Sequence, residues 1–264
     1  MEMDSDDDNA KTMLTVSRGL QVLRTFRGER AALSNAQIVM RSGLPKSTVS
    51  RLTSTLIRSG FLRHVAGGRQ FELASGSLGI GHAFVESSPL VQLAQPFMQQ
   101  LADELNVSVA LATGNQLDML YVAYCSGKHI ATLRLGIGSL LPMASTAIGR
   151  AYLWGLPDDQ QTELLAALQA EVGSEASAMQ AGIDKSFTEL ASTGTCFVRG
   201  GYQRDAFGIA LPVKVGIERK VMGFSCGAVD IGSSLVSVRK RIEPALKDAA
   251  PRLEQLLASI EGTP

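Results

Sequence analysis

The apolar positions of this 264-residue chain change spacing along its length, and each change marks an element. Between residues 34 and 58 they recur at helical intervals in two short runs. In LSNAQIVMRSG, Ser34 is suited to cap a helix whose apolar side is Ile38 and Val39. Gly43 ends that helix, where a left-handed residue is needed. Leu44 plugs the turn, and Pro45 fits the first position of a second helix, where no N–H is required. Val49, Leu52, Leu56 and Ile57 form the buried stripe of this second helix. Ser47 and Thr48 fill its first turn. Lys46, Ser47, Ser50, Arg51 and Thr53 fall largely off the stripe. GFLRHVAGGRQFEL then gives two apolar runs around Ala66-Gly67-Gly68, a hairpin with Arg69 at its tip.

The second half reads differently. SGSLGIGHAFVESS (75–88) is rich in Gly and Ser and then mildly helical. From Pro89, the positions Leu90, Leu93, Ala94, Phe97, Met98, Leu101 and Leu105 predict an amphipathic helix. VSVALATG, LDMLYVAYC and HIATLRL (129–135) read as strands. Helices are expected from about 145 to 155, over 158–172 and over 183–193. CFVRGG, GIALPVKV and KVMGFSCGAV read as strands, and RKRIEPALKDAAPRLEQLLASI closes with a long helix. Helices flanking a mostly antiparallel sheet make an α+β domain.

Charge sharpens this division. The net charge is zero, yet residues 11–75 hold eleven Lys or Arg against only Glu29 and Glu72. The first ten residues carry five acids. A basic segment beside an acidic remainder indicates a polyanion-binding module joined to a domain that does not bind polyanions. A helix, a short turn and a second helix that opens with bases and short hydroxyl side chains is the helix-turn-helix layout. The hairpin completes a winged helix. Ser34, Lys46, Ser47, Thr48, Ser50, Arg51, Thr53 and Arg69 are the candidate DNA-contacting residues. The hydrophobic content of 45% and mean hydropathy of +0.11 allow a sizeable core. No apolar run approaches the roughly 18 residues of a membrane span. The acidic start is unlike a signal peptide and reads as a disordered tail over residues 1–12 of a cytoplasmic protein. Cys125, Cys196 and Cys226 read as reduced, buried thiols.

These stretches resemble the IclR-type bacterial transcriptional regulators. The likeness lies in VSRGLQVLRTF (16–26), AQIVMRSGLPKSTVSRLTSTLIRSGFL (36–62) and the wing ending in FELASGSLGIG (71–81). It continues in LPMASTAIGRAYLWGLP (141–157) and FVRGGYQRDAFGIALPV (197–213), so it covers about residues 15 to 260. Val39 stands where the family usually has Ala, and Gly201 where relatives tend to carry Glu. The resemblance implies a winged helix-turn-helix over 13–75, a linker helix over 76–88 and an effector-binding domain over 89–264 with a GAF or profilin-like α+β fold. It also implies a double-stranded DNA operator, a small-molecule effector, and an assembly of at least a homodimer, with a tetramer expected.

The effector site is expected where LLPMASTAIGR joins a turn to a helix starting near Ser145. First-turn N–H groups with the Ser145 and Thr146 hydroxyls suit a carboxylate. The strands carrying Ala206, Gly208, Ser225 and Gly227 are lined with small residues, which leaves room for a ligand body. A small organic acid is thus expected, its carboxylate at Ser145, Thr146 and Ala147 and its apolar part against Met143 and the strand face. Two other function classes fit parts of the chain: a winged helix used for protein contacts, and a serine esterase built on GFSCG (223–227). The esterase needs a helix after Ser225 and a His downstream of it; His64, His82 and His129 all precede it. The Gly triplets lack the strand, helix and acid of a dinucleotide site. No metal, cofactor or catalytic residue is expected.

Overall fold

The computed structural model describes residues 13–27, 32–65, 67–128, 135–229 and 234–262. The expectations for the acidic tail, for Ala66 and for most of the 129–135 strand lie outside the described residues. Contacts divide the chain into two compact units, Met1–Val85 and Glu86–Pro264.

The first unit contains α1 (Leu14–Arg24), β1 (Leu33–Ser34), α2 (Asn35–Ser42), α3 (Lys46–Arg58), β2 (Leu62–His64) and β3 (Gln70–Leu73). Ser34 caps α2 as the sequence predicts. Its hydroxyl accepts the Gln37 N–H at 3.3 Å, and the Gln37 side chain accepts the Ser34 N–H at 2.9 Å. This reciprocal pair satisfies two donors that the helix start leaves open. Gly43 ends α2 with φ +67°, a conformation in which a Cβ is strained. Pro45 is the cap of α3 rather than its first residue; its carbonyl accepts the Val49 N–H at 3.0 Å. The three strands pair in the order β1-β3-β2, with Leu33 opposite Phe71 and Leu62 opposite Leu73. Val22, Leu33, Ile38, Leu44, Val49, Leu52, Leu62 and Phe71 make one core beneath the helices. A further helix, α4 (Ser75–Ser87), has no buried residue and spans the division between the units.

The second unit opens with α5 (Pro89–Leu105), capped by Ser88. Its sheet contains β4 (Ser108–Asn115), β5 (Asp118–Ser126), β6 (Leu140–Pro142), β7 (Cys196–Arg199), β8 (Ala206–Val215) and β9 (Lys220–Val229). The order is β6-β5-β4-β9-β8-β7, antiparallel throughout. Strand alternation gives the two faces different sizes. Val109, Leu111, Ile209, Leu211 and Phe224 lie on one face, against α5 and α9 (Leu235–Leu257). The opposite face carries Ser108, Ala110, Gly208, Ala210, Ser225 and Gly227, brought side by side by the register Ala110–Ser225–Ala210 and Ser108–Gly227–Gly208. Over it lies α6 (Ala147–Gly155), backed by α7 (Asp158–Val172) and α8 (Ala176–Thr193). The last of these begins seven residues before the predicted start. All three cysteines are free and buried.

Candidate functional site

The exposed face of α3 is built by its own period. Val49 and Leu52 point into the core, so Lys46, Ser47, Arg51, Ser54 and Arg58 point out, with Thr48 and Ser50 half-exposed. Ser54 and Arg58 extend the polar face predicted from the sequence by one further turn. Arg18 of α1 shares a shallow groove with Thr48 and Arg51. Arg69 is exposed beside the wing strands, where Arg63 and Glu72 pair. The Ser50 hydroxyl accepts the Asn35 side-chain N–H at 2.9 Å, which ties the starts of α2 and α3.

Thr53 corrects the sequence reading. It is 2% exposed, and its hydroxyl donates to the Val49 and Ser50 carbonyls at 3.0 and 3.1 Å. One turn after Val49, it falls inside the buried stripe and cannot reach DNA. Ser34 is half-buried, with its side chain committed to the α2 cap.

In the second unit, a cavity of about 60 Å³ opens between the small-residue face of the sheet and the start of α6. Six of the eight expected effector residues line it: Thr146, Ala147, Ala206, Gly208, Ser225 and Gly227. The other two do not. Met143 is fully buried in the core under α6. Ser145 is not in the lining, and its hydroxyl is committed to the carbonyl of Gly201 at 2.7 Å. The helix begins two residues later than predicted, because Thr146 is its cap. Its hydroxyl accepts the Gly149 N–H at 3.3 Å and donates to the Pro142 carbonyl at 2.7 Å. The Arg150 N–H goes to the Thr146 carbonyl. The N–H groups of Ala147 and Ile148, both in residues that line the cavity, are left without a backbone partner among the described residues.

Strand β5 and the segment after β7 supply what sequence reasoning missed. Tyr121 and Tyr202 line the cavity with Ser108 and Ala110. The Tyr121 hydroxyl bonds the Ser225 side chain; burial, with Tyr124 and Tyr202 nearby, pushes its pKa well above the ordinary phenol range. Tyr124 bonds the Ser108 side chain, and burial raises its pKa too. The polar lining is therefore neutral hydroxyl groups, with no charged side chain among the described residues. The alternation of LDMLYVAYC was the available signal for Tyr121. Gly201 also lines the cavity. A Cβ there would stand 2.0 Å from the Ser145 carbonyl oxygen, so a side chain such as Glu has no place on this backbone.

Ser225 sits in the middle of β9, with strand on both sides, and not on a strand-to-helix elbow. Among the described residues, no group of three His, Cys, Asp or Glu side chains is placed to hold a metal. No helix of the described residues is long and apolar enough to cross a membrane.

Two family models match: the IclR helix-turn-helix domain over residues 15–66 and the bacterial transcriptional regulator IclR C-terminal domain over 82–253. The chain is 26% identical over 258 residues to the HTH-type transcriptional regulator TsaQ1/TsaQ2 of Comamonas testosteroni, covering 94% of this chain and 87% of that protein. A solved IclR family transcriptional regulator from Brucella abortus superposes with a TM-score of 0.83 at 31% identity, covering 96% of each chain. An IclR homolog from Microbacterium hydrocarbonoxydans, solved in complex with 4-hydroxybenzoate, shares the fold at a TM-score of 0.66 and 20% identity, over 92% of this chain and 98% of that one. The relatives matched here are regulators rather than enzymes, and this chain belongs to the IclR family of bacterial DNA-binding transcriptional regulators.

Proposed function

We propose that the protein binds a pseudo-palindromic operator in the cytoplasm as a dimer or tetramer, and that a small organic acid in the second unit modulates this binding. The division of labour follows the chain: residues 13–75 read DNA, 76–88 link, and 89–264 hold the acid. Lys46, Ser47, Thr48, Ser50 and Arg51 face the major groove, and Lys46 and Arg69 take phosphates. The observation that supports the acid is the cavity itself. Its wall of Ser108, Ala110, Gly208 and Gly227 gives width, and the N–H groups of Ala147 and Ile148, which no backbone carbonyl takes among the described residues, are available to an acceptor. Such N–H groups at a helix start favour negative charge. The tyrosine and serine hydroxyls at the other side suit a polar substituent on the acid. The 4-hydroxybenzoate named for the Microbacterium relative is of this chemical class.

Calorimetry on the intact protein with a panel of aromatic and aliphatic carboxylic acids, each paired with its amide, tests the ligand. One or more acids should bind, and their amides more weakly. If no acid binds, or amides bind equally well, the ligand reading is wrong. Salt titration of binding to an operator fragment from the adjacent promoter tests the DNA arm.

A further inference from the structure

We infer that Arg150 is a positioning residue of this cavity: it fixes the loop from Ala144 to Thr146, and its charge favours an acid over the neutral analogue. The inference rests on the acid-binding reading above. Arg150 stands in the first turn of α6, and its side chain folds back past the cap. Nε donates to the Ala144 carbonyl at 2.8 Å, and Nη1 to the Gly182 carbonyl at 2.7 Å and the Ser186 hydroxyl at 3.1 Å. One planar guanidinium thus clamps the loop that leads into the cavity-lining Thr146 to α8. A lysine is a point charge on a flexible stem and does not reproduce that fork.

The surroundings of Arg150 are unusual for a cation. It is half-buried, and its hydrogen bonds go to two carbonyls and a hydroxyl, with no carboxylate among them. Burial accordingly depresses its pKa, while Cys196 and Glu189 oppose the shift only through the field. A partly desolvated cation with no ion pair is costly unless its charge is used. Arg150 does not itself line the cavity, but it belongs to the first turn of α6, whose Thr146, Ala147 and Ile148 do, and the lining carries no charged side chain of its own. Gly182 is part of the same arrangement, because a Cβ there would stand 2.7 Å from Nη2.

The test compares full-length wild type with R150Q, R150K and G182A. Amide hydrogen exchange is read over residues 142–149 and, as a control, over 222–226. Calorimetry with 4-hydroxybenzoate and 4-hydroxybenzamide reads the cavity. All three variants should exchange faster over 142–149, by roughly tenfold in R150Q, with 222–226 unchanged. The preference for the acid should fall by about tenfold in R150Q and persist in R150K and G182A, which keep a cation. Unchanged exchange over 142–149 in R150Q overturns the positioning role. Equal loosening of 222–226 also overturns it, since Arg150 would then support the domain as a whole. An unchanged acid preference in R150Q overturns the charge role. Wild type that binds neither this pair nor any acid of the panel sinks the acid-binding reading and the charge role with it, and exchange alone then decides the positioning role; where another acid of the panel binds, that acid and its amide replace the pair.

Discussion

Arg51 and Thr53 stand two positions apart on α3 and have opposite fates. A helix turns about 100° per residue, so they face nearly opposite ways. Arg51 is exposed beside Ser47 and Arg58, and Thr53 is buried with both its hydrogen bonds internal. Arg51→Ala should weaken operator binding and lower the slope of log K against log salt by roughly one for each DNA phosphate that it leaves unneutralised. Thr53→Val should leave operator affinity unchanged and alter only thermal stability, by about 1 kcal/mol. Anisotropy titrations over a salt series distinguish them; a Thr53→Val protein with altered operator affinity would contradict the burial argument. Gly201 shows the same dependence on surroundings. Its Cβ position is taken by the Ser145 carbonyl and by Val198 Cγ1 at 3.0 Å. Gly201→Glu should therefore lower the unfolding temperature by several degrees, corresponding to about 2 kcal/mol or more, and a melt that matches the parent would show that the backbone gives way.

At the scale of elements, caps decide more than periodicity does. The apolar pattern around LLPMASTAIGR places a helix correctly but not its first residue. The start is set by which hydroxyl closes the turn, and Thr146 does so because its side chain also reaches the Pro142 carbonyl. Thr146→Val keeps the volume and removes both bonds. It should cost the domain about 1 kcal/mol and weaken acid binding at the same time. Ser145→Val loses only the bond to Gly201 and should disturb the acid less. Denaturant midpoints and calorimetry on the two variants give the comparison, and a larger loss in acid affinity from Ser145→Val would move the site one residue upstream. The early start of α8 has another cause. Its first seven residues, ASAMQAG, carry no apolar stripe, and packing of Met179 on the core under α6 holds them in the helix.

For the whole molecule, the buried thiols link folding to pH. Burial pushes Cys196 and Cys226 up to about 12, and Cys125 up to about 11. In the unfolded chain such thiols ionise near a pH of about 8.5. The folded state holds their protons longer, so stability is full below that pH and falls as pH rises toward 11. Urea midpoints should drop between about pH 7 and pH 10, and a thiol reagent should label all three cysteines only on unfolding. Rapid labelling of the native protein would refute their burial. The sequence by itself determined the winged helix, the basic face of α3, the long strands β4, β5, β8 and β9 with β7, and most of the helices, because these follow from short-range periodicity, caps and charge; the short strands β1 and β6 carry too few residues to show an alternation. It also located most of the cavity's small residues. Only the tertiary structure decided that Thr53 is core, that Met143 and Ser145 stay out of the cavity lining, and that Tyr121 and Tyr202 join it. Each of these depends on which strand register and which helix lie across from the residue, and those neighbours come from distant parts of the chain that no local pattern encodes.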